Sequence, residues 1–265
     1  MGATVNSRVR RGKSLARWAA LAALILGVQT GLAADQELFR RHLAEDFNAA
    51  AIQLQNHPDD DRAAEEFGRL CFDYAEFATN NTERATLAIQ GIAAMRNWTA
   101  RKPGLAGGHY YLAMNLGQMA RTEMLGALSI VKEMEREFKV AQDDDERWDY
   151  AGPARNLGEL YFQAPGWPTS IGSRHKARLW LERAGAVAPE YPENHLNLLE
   201  AYLKWGDTNG VQRELKALED TWPAARLNFT GRRWESDMAD WKQRRIRLTE
   251  DATQWLSNKS SRNVP

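Results

Sequence analysis

Apolar side chains recur along much of this 265-residue chain at the three- and four-residue spacing of amphipathic helices. The stretch 122–141 shows this well, because its apolar residues share one helical face and its charged residues lie on the opposite face. The apolar face carries Leu125, Leu128, Val131, Met134, Phe138 and Ala141. Strand-like alternation of polar and apolar residues does not extend beyond a few positions. The pattern therefore predicts an all-α protein.

Two later stretches share one spaced pattern of large and small residues. They are Ala154-x2-Leu157-Gly158-x2-Tyr161 with Ala177-x3-Leu181-x2-Ala184-x4-Pro189, and His195-x2-Leu198-Leu199-x2-Tyr202 with Val211-x3-Leu215-x2-Leu218-x4-Pro223. The two closing prolines are 34 residues apart. This period and pattern resemble the tetratricopeptide repeat, a stack of helix–turn–helix units. Its small residues let paired helices approach closely, and its large residues fill the space between them.

Two weaker copies of the pattern precede the clear ones. They contain Phe67-Gly68-x2-Cys71 with Gly91-x3-Met95-x2-Trp98-x4-Pro103, and His109-x2-Leu112-Ala113-x2-Leu116 with the helix at 122–141. Residues 231–257 then combine apolar and aromatic positions with many Arg and Lys. We therefore predict a tetratricopeptide-like α-solenoid of about four helix–turn–helix repeats with a C-terminal capping helix. It should span residues 35–258, followed by a disordered tail at 259–265.

The segment 1–34 differs from the rest of the chain in charge. It carries five basic residues and no acidic one, then an apolar run at 18–28 and small residues at 31–34. These features predict a cleavable signal peptide, and so a periplasmic or secreted protein without stable membrane insertion after cleavage. Two alternatives are an uncleaved anchor, for which the run is shorter than the roughly 20 residues needed to span a membrane, and a mitochondrial presequence, which should be amphipathic.

Charge and cysteine content narrow the classes of partner. The whole chain has 35 basic and 35 acidic residues, so removal of five basic ones would leave a net charge of −5. A mildly acidic protein without a row of Lys and Arg side chains to neutralise phosphates is not expected to bind nucleic acid. Cys71 is the single cysteine, which excludes an internal disulfide. It occupies a core position of the repeat, so we predict a buried and unreactive thiol.

The motifs of common catalytic sites are absent from the sequence. It contains no Gly-x-Ser-x-Gly, His-Glu-x2-His, phosphate-binding Gly-rich loop or Cys-x2-Cys, and its five histidines lack metal-ligand spacing. We therefore predict a protein that is not an enzyme, with no catalytic residue, no metal and no cofactor.

The first clear repeat contains an insert of seven residues. Tyr161 and Ala177 are 16 residues apart, whereas Tyr202 and Val211 are 9 apart. The insert brings in Pro165-Gly166-Trp167-Pro168 and Gly172. Proline restricts the backbone and glycine permits tight turns, so we predict an ordered lid. Its Trp167 either folds back over the helix pair or lies over the groove near Arg155, Tyr110 and Asn115, where an anionic or ring-bearing solute would bind.

The run from Ala151 to Tyr161, the insert and Lys176-Ala177 are similar to a particular family. They resemble the T-component family of bacterial TRAP transporters and, more distantly, the eukaryotic regulators of microtubule dynamics. The resemblance covers about residues 105–205. It implies a periplasmic accessory protein of solute uptake that forms homo-oligomers, offers a cavity to a small ligand and contacts a solute-binding partner. Members are often lipoproteins, and this chain has no cysteine at the signal exit for lipid attachment.

In a stack of this kind, first-helix residues between the core positions face the concave side. We predict ligand or partner binding at five such positions, Tyr110, Met114, Arg155, Glu159 and Glu200, and, from the insert placed over the groove, at Asn115 and Trp167. The predicted function is that of an exported, non-catalytic binding or scaffold protein whose partner is an envelope protein, a small solute, or both. Two alternatives are an enzyme or enzyme accessory subunit with a pocket around Arg155 and Trp167, and a membrane-anchored scaffold that retains residues 18–34.

Overall fold

The computed structural model describes residues 35–122 and 126–262. Contacts between residues divide the chain into two units, Met1–His42 and Leu43–Pro265. In the first unit the described residues, 35–42, are helical. The predicted signal peptide lies outside the described residues. None of the described helices combines the length and apolar character needed to cross a membrane.

The second unit is built from helices. They are α1 (residues 43–56), α2 (Asp61–Glu76), α3 (Asn81–Arg101), α4 (Ala106–Ala120), α5 (Ala127–Asp144), α6 (Trp148–Gln163), α7 (Arg174–Val187), α8 (Pro192–Trp205), α9 (Thr208–Asn228), a 3-10 turn (Arg232–Trp234) and α10 (Glu235–Arg262). Helices α2/α3, α4/α5, α6/α7 and α8/α9 pack as pairs, and α10 packs on α8 and α9. The predicted all-α solenoid of four helix pairs with a capping helix is confirmed.

The repeat pattern forms the core between the helices. Tyr161, Leu181 and Tyr202 are almost fully buried. A Cβ atom at Gly158 would lie 2.6 Å from the Leu181 Cγ atom, so only glycine permits the close approach of α6 and α7. Cys71 is fully buried, and burial raises the pKa of its thiol, as expected for an unreactive core cysteine.

Some helix boundaries differ from those predicted. Helix α5 begins at Ala127 after Gly126 at its N-cap, and the described residues 121 and 122 form a turn after α4. Helix α9 continues past Pro223 to Asn228, since Trp222 and Ala225 on either side of the proline are buried in the core.

The C-terminal boundary at 258 is also wrong. Helix α10 continues to Arg262, and residues 263–265 lie outside the described part of the chain. The Lys259 Nζ atom donates hydrogen bonds to Thr208 Oγ1 at 2.6 Å and to the Gly206 carbonyl at 3.3 Å. These bonds attach the last turns of α10 to the start of α9.

Candidate functional site

An unusual backbone segment opens α6. Asp149, Tyr150 and Ala151 have φ angles of 46°, 55° and 62°, which are left-handed values. For residues other than glycine this conformation costs about 1–2 kcal/mol each, so the surrounding structure must stabilise it. We call residues 149–151 the left-handed turn.

Arg155 and Asn194 supply much of that stabilisation. The Arg155 Nη1 atom donates to the carbonyl oxygens of Asp149 at 3.2 Å and Tyr150 at 3.1 Å. Its Nη2 atom donates to Asp149 Oδ2 at 2.9 Å, and the Tyr110 hydroxyl donates to the same oxygen at 2.7 Å. Asn194 Nδ2 donates to the Tyr150 carbonyl at 3.2 Å. The turn is therefore held by side chains from α4, α6 and α8.

Aromatic packing fixes the other side of the turn. The ring of Tyr150 stacks on Tyr191 with centroids 4.8 Å apart and planes at 6°. The Arg155 guanidinium lies 4.6 Å from the centroid of the Tyr191 ring. Trp234 and Trp241, from the C-terminal region, pack against the Tyr191 ring. The capping helix is thus attached to the same place as the left-handed turn.

Next to this turn lies a cavity of about 480 Å³. Its walls come from α2, α4, the left-handed turn, α6, α8, the 3-10 turn and α10. The lining residues are Arg69, Phe72, Asp73, Glu76, Phe77, Tyr110, Tyr111, Met114, Asp149, Arg155, Asn156, Tyr191, Glu193, Arg233, Trp234, Ser236, Asp237, Asp240 and Trp241. We call this space the inner cavity.

Two of the lining arginines are saturated by nearby acceptors. Arg69 is buried and forms ion pairs with Glu66 and Asp73. Arg155 is also buried, and besides its bonds to Asp149 its Nε atom lies 3.5 Å from Glu193 Oε2. Their charges therefore serve mainly to neutralise carboxylates of the cavity wall.

The capping region contributes one more arginine, Arg233, and a carboxyl group, Asp237, to the lining of the inner cavity. Arg233 lies with its guanidinium 4.9 Å from the Trp234 ring centroid and its Nη1 atom 3.8 Å from Asp73 Oδ2. Asp237 has no hydrogen bond or ion pair to any described residue. Burial raises the pKa of Asp237 to about 8, with Asp73 and Glu193 adding to the effect.

Three of the predicted site residues line the inner cavity, namely Tyr110, Met114 and Arg155. Asn115 does not. Its side chain is fully buried and donates to the Gly68 carbonyl at 2.9 Å and the Tyr111 carbonyl at 2.8 Å, so it links α2 to α4. The prediction that Asn115 belongs to the groove is wrong, because its side chain is buried against α2.

Glu159 and Glu200 lie near Arg244 and outside the lining of the inner cavity. The Arg244 Nη2 atom is 3.4 Å from Glu200 Oε2. Burial raises the pKa of Glu159 to about 7, and neighbouring Glu200 and Glu193 act in the same direction. Whether the two glutamates bind a ligand or partner stays a prediction.

The insert is ordered, as predicted, but Trp167 lies in neither predicted place. The Gly172 N–H donates to the Pro165 carbonyl and the Ser173 N–H to the Tyr161 carbonyl, both at 2.9 Å. Trp167 is nevertheless 88% exposed and does not line the inner cavity. The insert follows the end of α6, whereas Arg155 precedes Gln163 by eight residues, about 12 Å along a helix. The predicted pocket between Arg155 and Trp167 is therefore wrong.

Sequence reasoning missed Arg69, Asp73, Arg233 and Asp237. The repeat pattern contains a signal for Arg69 alone, because alignment of Gly68 with Gly158 places Arg69 level with Glu159, a predicted concave position. Arg233 and Asp237 belong to the capping region, which has no repeat register that places its side chains.

Comparison with known proteins supports the architecture. Neither a family model nor a curated protein matches the sequence significantly. Among solved structures, the chain is similar to a tetratricopeptide-repeat protein of Thermus thermophilus, with a TM-score of 0.55 and 20% sequence identity. The match covers 77% of this chain and 88% of that one. The fold is tetratricopeptide-like. In this tetratricopeptide-like stack the first helices α2, α4, α6 and α8 all contribute to the inner cavity.

Proposed function

We propose that the protein is a non-catalytic binding module and that the inner cavity is its ligand site. The observation that carries the proposal is the left-handed turn, whose backbone strain is maintained by Arg155 and Asn194 at the cavity wall. Strained segments of this kind cluster at functional sites, where they position side chains in advance of binding.

The size of the cavity favours a small solute. Its volume of about 480 Å³ falls within the roughly 300–1,000 Å³ of small-molecule sites. Four first helices and the capping helix surround it, which suits a compact ligand better than a long peptide. A tetratricopeptide-like stack also supports binding of a protein, and we assign that role to another surface.

Trp167 is the best candidate contact for an envelope protein partner. A large aromatic side chain on a hydrogen-bonded loop offers contact area without a large ordering cost, and tryptophans are common anchors of interfaces. Together with the expected signal peptide and the resemblance to TRAP transporter T-components, this supports an exported accessory protein of solute uptake. The solute would bind in the inner cavity and the partner at the insert.

The solute part can be tested by blocking the cavity. Ser236 lines the inner cavity on α10, so Ser236→Trp should fill it, and Ser257→Trp on the exposed face of the same helix is the matched control. Each protein is incubated with a small-molecule cell extract, separated from free solutes and measured by native mass spectrometry. We expect wild type and Ser257→Trp to retain a solute that Ser236→Trp loses.

The same measurement addresses the enzyme alternative. A bound solute recovered with unchanged mass supports a binding module, whereas its conversion would indicate catalysis. Absence of any retained solute from the wild-type protein, or equal retention by all three proteins, would contradict the assignment of the inner cavity as the ligand site.

A further inference from the structure

The inner cavity carries more acid than base. Among its described lining residues, six have carboxyl side chains and three are arginines. The carboxylates are Asp73, Glu76, Asp149, Glu193, Asp237 and Asp240. A cavity with this excess of acidic groups disfavours an anion and lowers the free energy of a cation.

The arginines do not reverse this preference. All three nitrogens of the Arg155 guanidinium already face acceptors, including Asp149 and Glu193. Arg69 is engaged by Glu66 and Asp73 in the same way. An anionic solute would have to compete with these buried pairs, and breaking a buried pair is costly.

Arg233 shows how a cation fits in the cavity. Its guanidinium lies over the Trp234 ring, and its Nη1 atom is 3.8 Å from Asp73 Oδ2. Burial and Arg69 lower the pKa of Arg233, but Asp73, Tyr111 and Asp149 raise it, and the net shift is upward. The chain thus places one of its own organic cations between an aromatic face and a carboxylate. Asp237 offers a second carboxylate, one without a hydrogen-bond or ion-pair partner among the described residues.

We infer that the inner cavity selects an organic cation, with an ammonium or guanidinium group placed by Asp237 and Asp73 and an apolar body placed against the aromatic wall. This inference rests on the proposed binding function. The wall includes Phe72, Tyr110 and Tyr111, whose rings suit a small apolar or cyclic body. Arg233 competes with the ligand for the same carboxylates.

Three probes of one shape separate charge from size. Benzamidinium is a cation, benzamide its neutral counterpart and benzoate an anion, all on the same ring. Titration calorimetry with the full chain should show benzamidinium binding roughly tenfold or more tighter than benzamide. Benzoate should bind weakest.

Matched variants assign the effect to the cavity. At about pH 9, above the Asp237 pKa of about 8, Asp237→Asn should weaken benzamidinium binding about tenfold or more, whereas Asp251→Asn, at an exposed position of the same helix, should leave it unchanged. Arg233→Gln should act in the opposite direction and strengthen binding about two- to fivefold, because it removes the competing cation. Circular dichroism of each variant confirms that it is folded.

The outcomes distinguish this inference from the function on which it rests. If benzoate or benzamide binds as tightly as benzamidinium and Ser236→Trp abolishes that binding, the cavity is a ligand site but the cation preference is wrong. Equal affinities of wild type and Asp237→Asn for benzamidinium at about pH 9, where Asp237 is ionised, also overturn the preference. If no probe binds and native mass spectrometry finds no retained solute, the proposed function itself fails.

Discussion

The His195 Nδ1 atom lies 2.9 Å from Glu214 Oε2, and the other ring nitrogen lies 2.8 Å from the Pro189 carbonyl oxygen. Both neighbours are acceptors when Glu214 is ionised, so the ring can satisfy both when it is protonated. Burial lowers the pKa of His195, but the Glu214 and Pro189 contacts outweigh it and the net shift is upward. The same arrangement joins α4 to α5, where His109 Nδ1 is 2.7 Å from Glu137 Oε2.

The contact between His195 and Glu214 predicts a pH-dependent contribution to the free energy of unfolding. Because the pKa of His195 is raised in the folded protein, its contribution to stability is complete below the pKa of histidine in the unfolded chain, about 6.5. The contribution is lost as pH rises through the pKa of His195 in the folded protein. We expect the difference in free energy of unfolding between wild type and His195→Gln to be larger at about pH 6 than at about pH 9. Urea denaturation at both pH values measures it. His57→Gln, at an exposed position, is the control and should show no such trend.

Arg155 should be essential for the left-handed turn. Arg155→Met removes the donors for two carbonyl oxygens and leaves Asp149 without its ion pair, so we expect a loss of about 3–5 kcal/mol in the free energy of unfolding. Ala151→Gly introduces a residue that adopts positive φ without strain.

The two changes should therefore be coupled. Arg155→Met should destabilise the protein less in the Ala151→Gly background than in wild type, because the glycine leaves less backbone strain for the Arg155 donors to offset. Chemical denaturation of the four proteins of this cycle gives the coupling energy. Strict additivity would show that Arg155 does not stabilise the turn.

Asp237 should lower the stability of the folded protein while it strengthens the binding of a cation. The pKa of Asp237 is about 8 in the folded protein and about 3.9 in the unfolded chain. The neutral carboxyl therefore contributes its full share to the free energy of unfolding below the unfolded pKa. That contribution is lost as pH rises through the folded pKa of about 8. We expect Asp237→Asn to melt at a higher temperature than wild type, with a gap that widens from about pH 6 to about pH 9. Asp251→Asn should melt with wild type throughout.

Benzamidinium binding should follow the same titration. The charged groups that act on Asp237 are Asp73 on α2, Asp149 in the left-handed turn, Glu193 on α8 and Arg233 in the 3-10 turn. Ionisation of Asp237 adds a negative charge among them, so wild-type affinity for the probe should rise as pH increases through about 8. If the affinity of Asp237→Asn for benzamidinium does not change with pH, ionisation of Asp237 causes the rise in wild type. If the affinity of the variant rises equally, another group causes it.

Trp167 should matter for partner binding and not for folding. Because its side chain is 88% exposed, we expect Trp167→Ser to change the free energy of unfolding by less than about 0.5 kcal/mol. The variant should recover less of a specific partner from envelope extract than wild type does. Leu227→Ser, at a position 78% exposed, is the control and should recover as much as wild type. Equal recovery by all three would exclude Trp167 as a contact.

The fold was predictable from sequence because its determinants are local. Leu157, Gly158 and Tyr161 specify one helix face within two turns, and the matching small residues specify its partner helix. Of the residues in that register, Arg155 and Tyr110 line the inner cavity. The hypothesis that the insert covers the groove misplaced Asn115, because a single helix position cannot show which of two neighbouring helices an amide will contact.

The rest of the site depends on long-range packing. Asp237 lines the same cavity as Asp73 and Glu193 because α10 packs on α8, and no spacing rule relates the capping helix to the repeats. The left-handed turn lies on residues that normally avoid positive φ, so the sequence carries no local sign of it. The position of Trp167 was unpredictable because an insert has no repeat register.

The Arg155 side chain also changes how the stack should unfold. Units of a solenoid ordinarily contact their nearest neighbours, and their stability is close to a sum of local terms. Here one guanidinium joins the left-handed turn of α6 to Asn194 of α8 at 3.4 Å and to the Tyr110 hydroxyl of α4 at 3.5 Å. Three successive helix pairs therefore share a single side chain, and the middle of the stack should lose its structure in one cooperative step instead of fraying pair by pair.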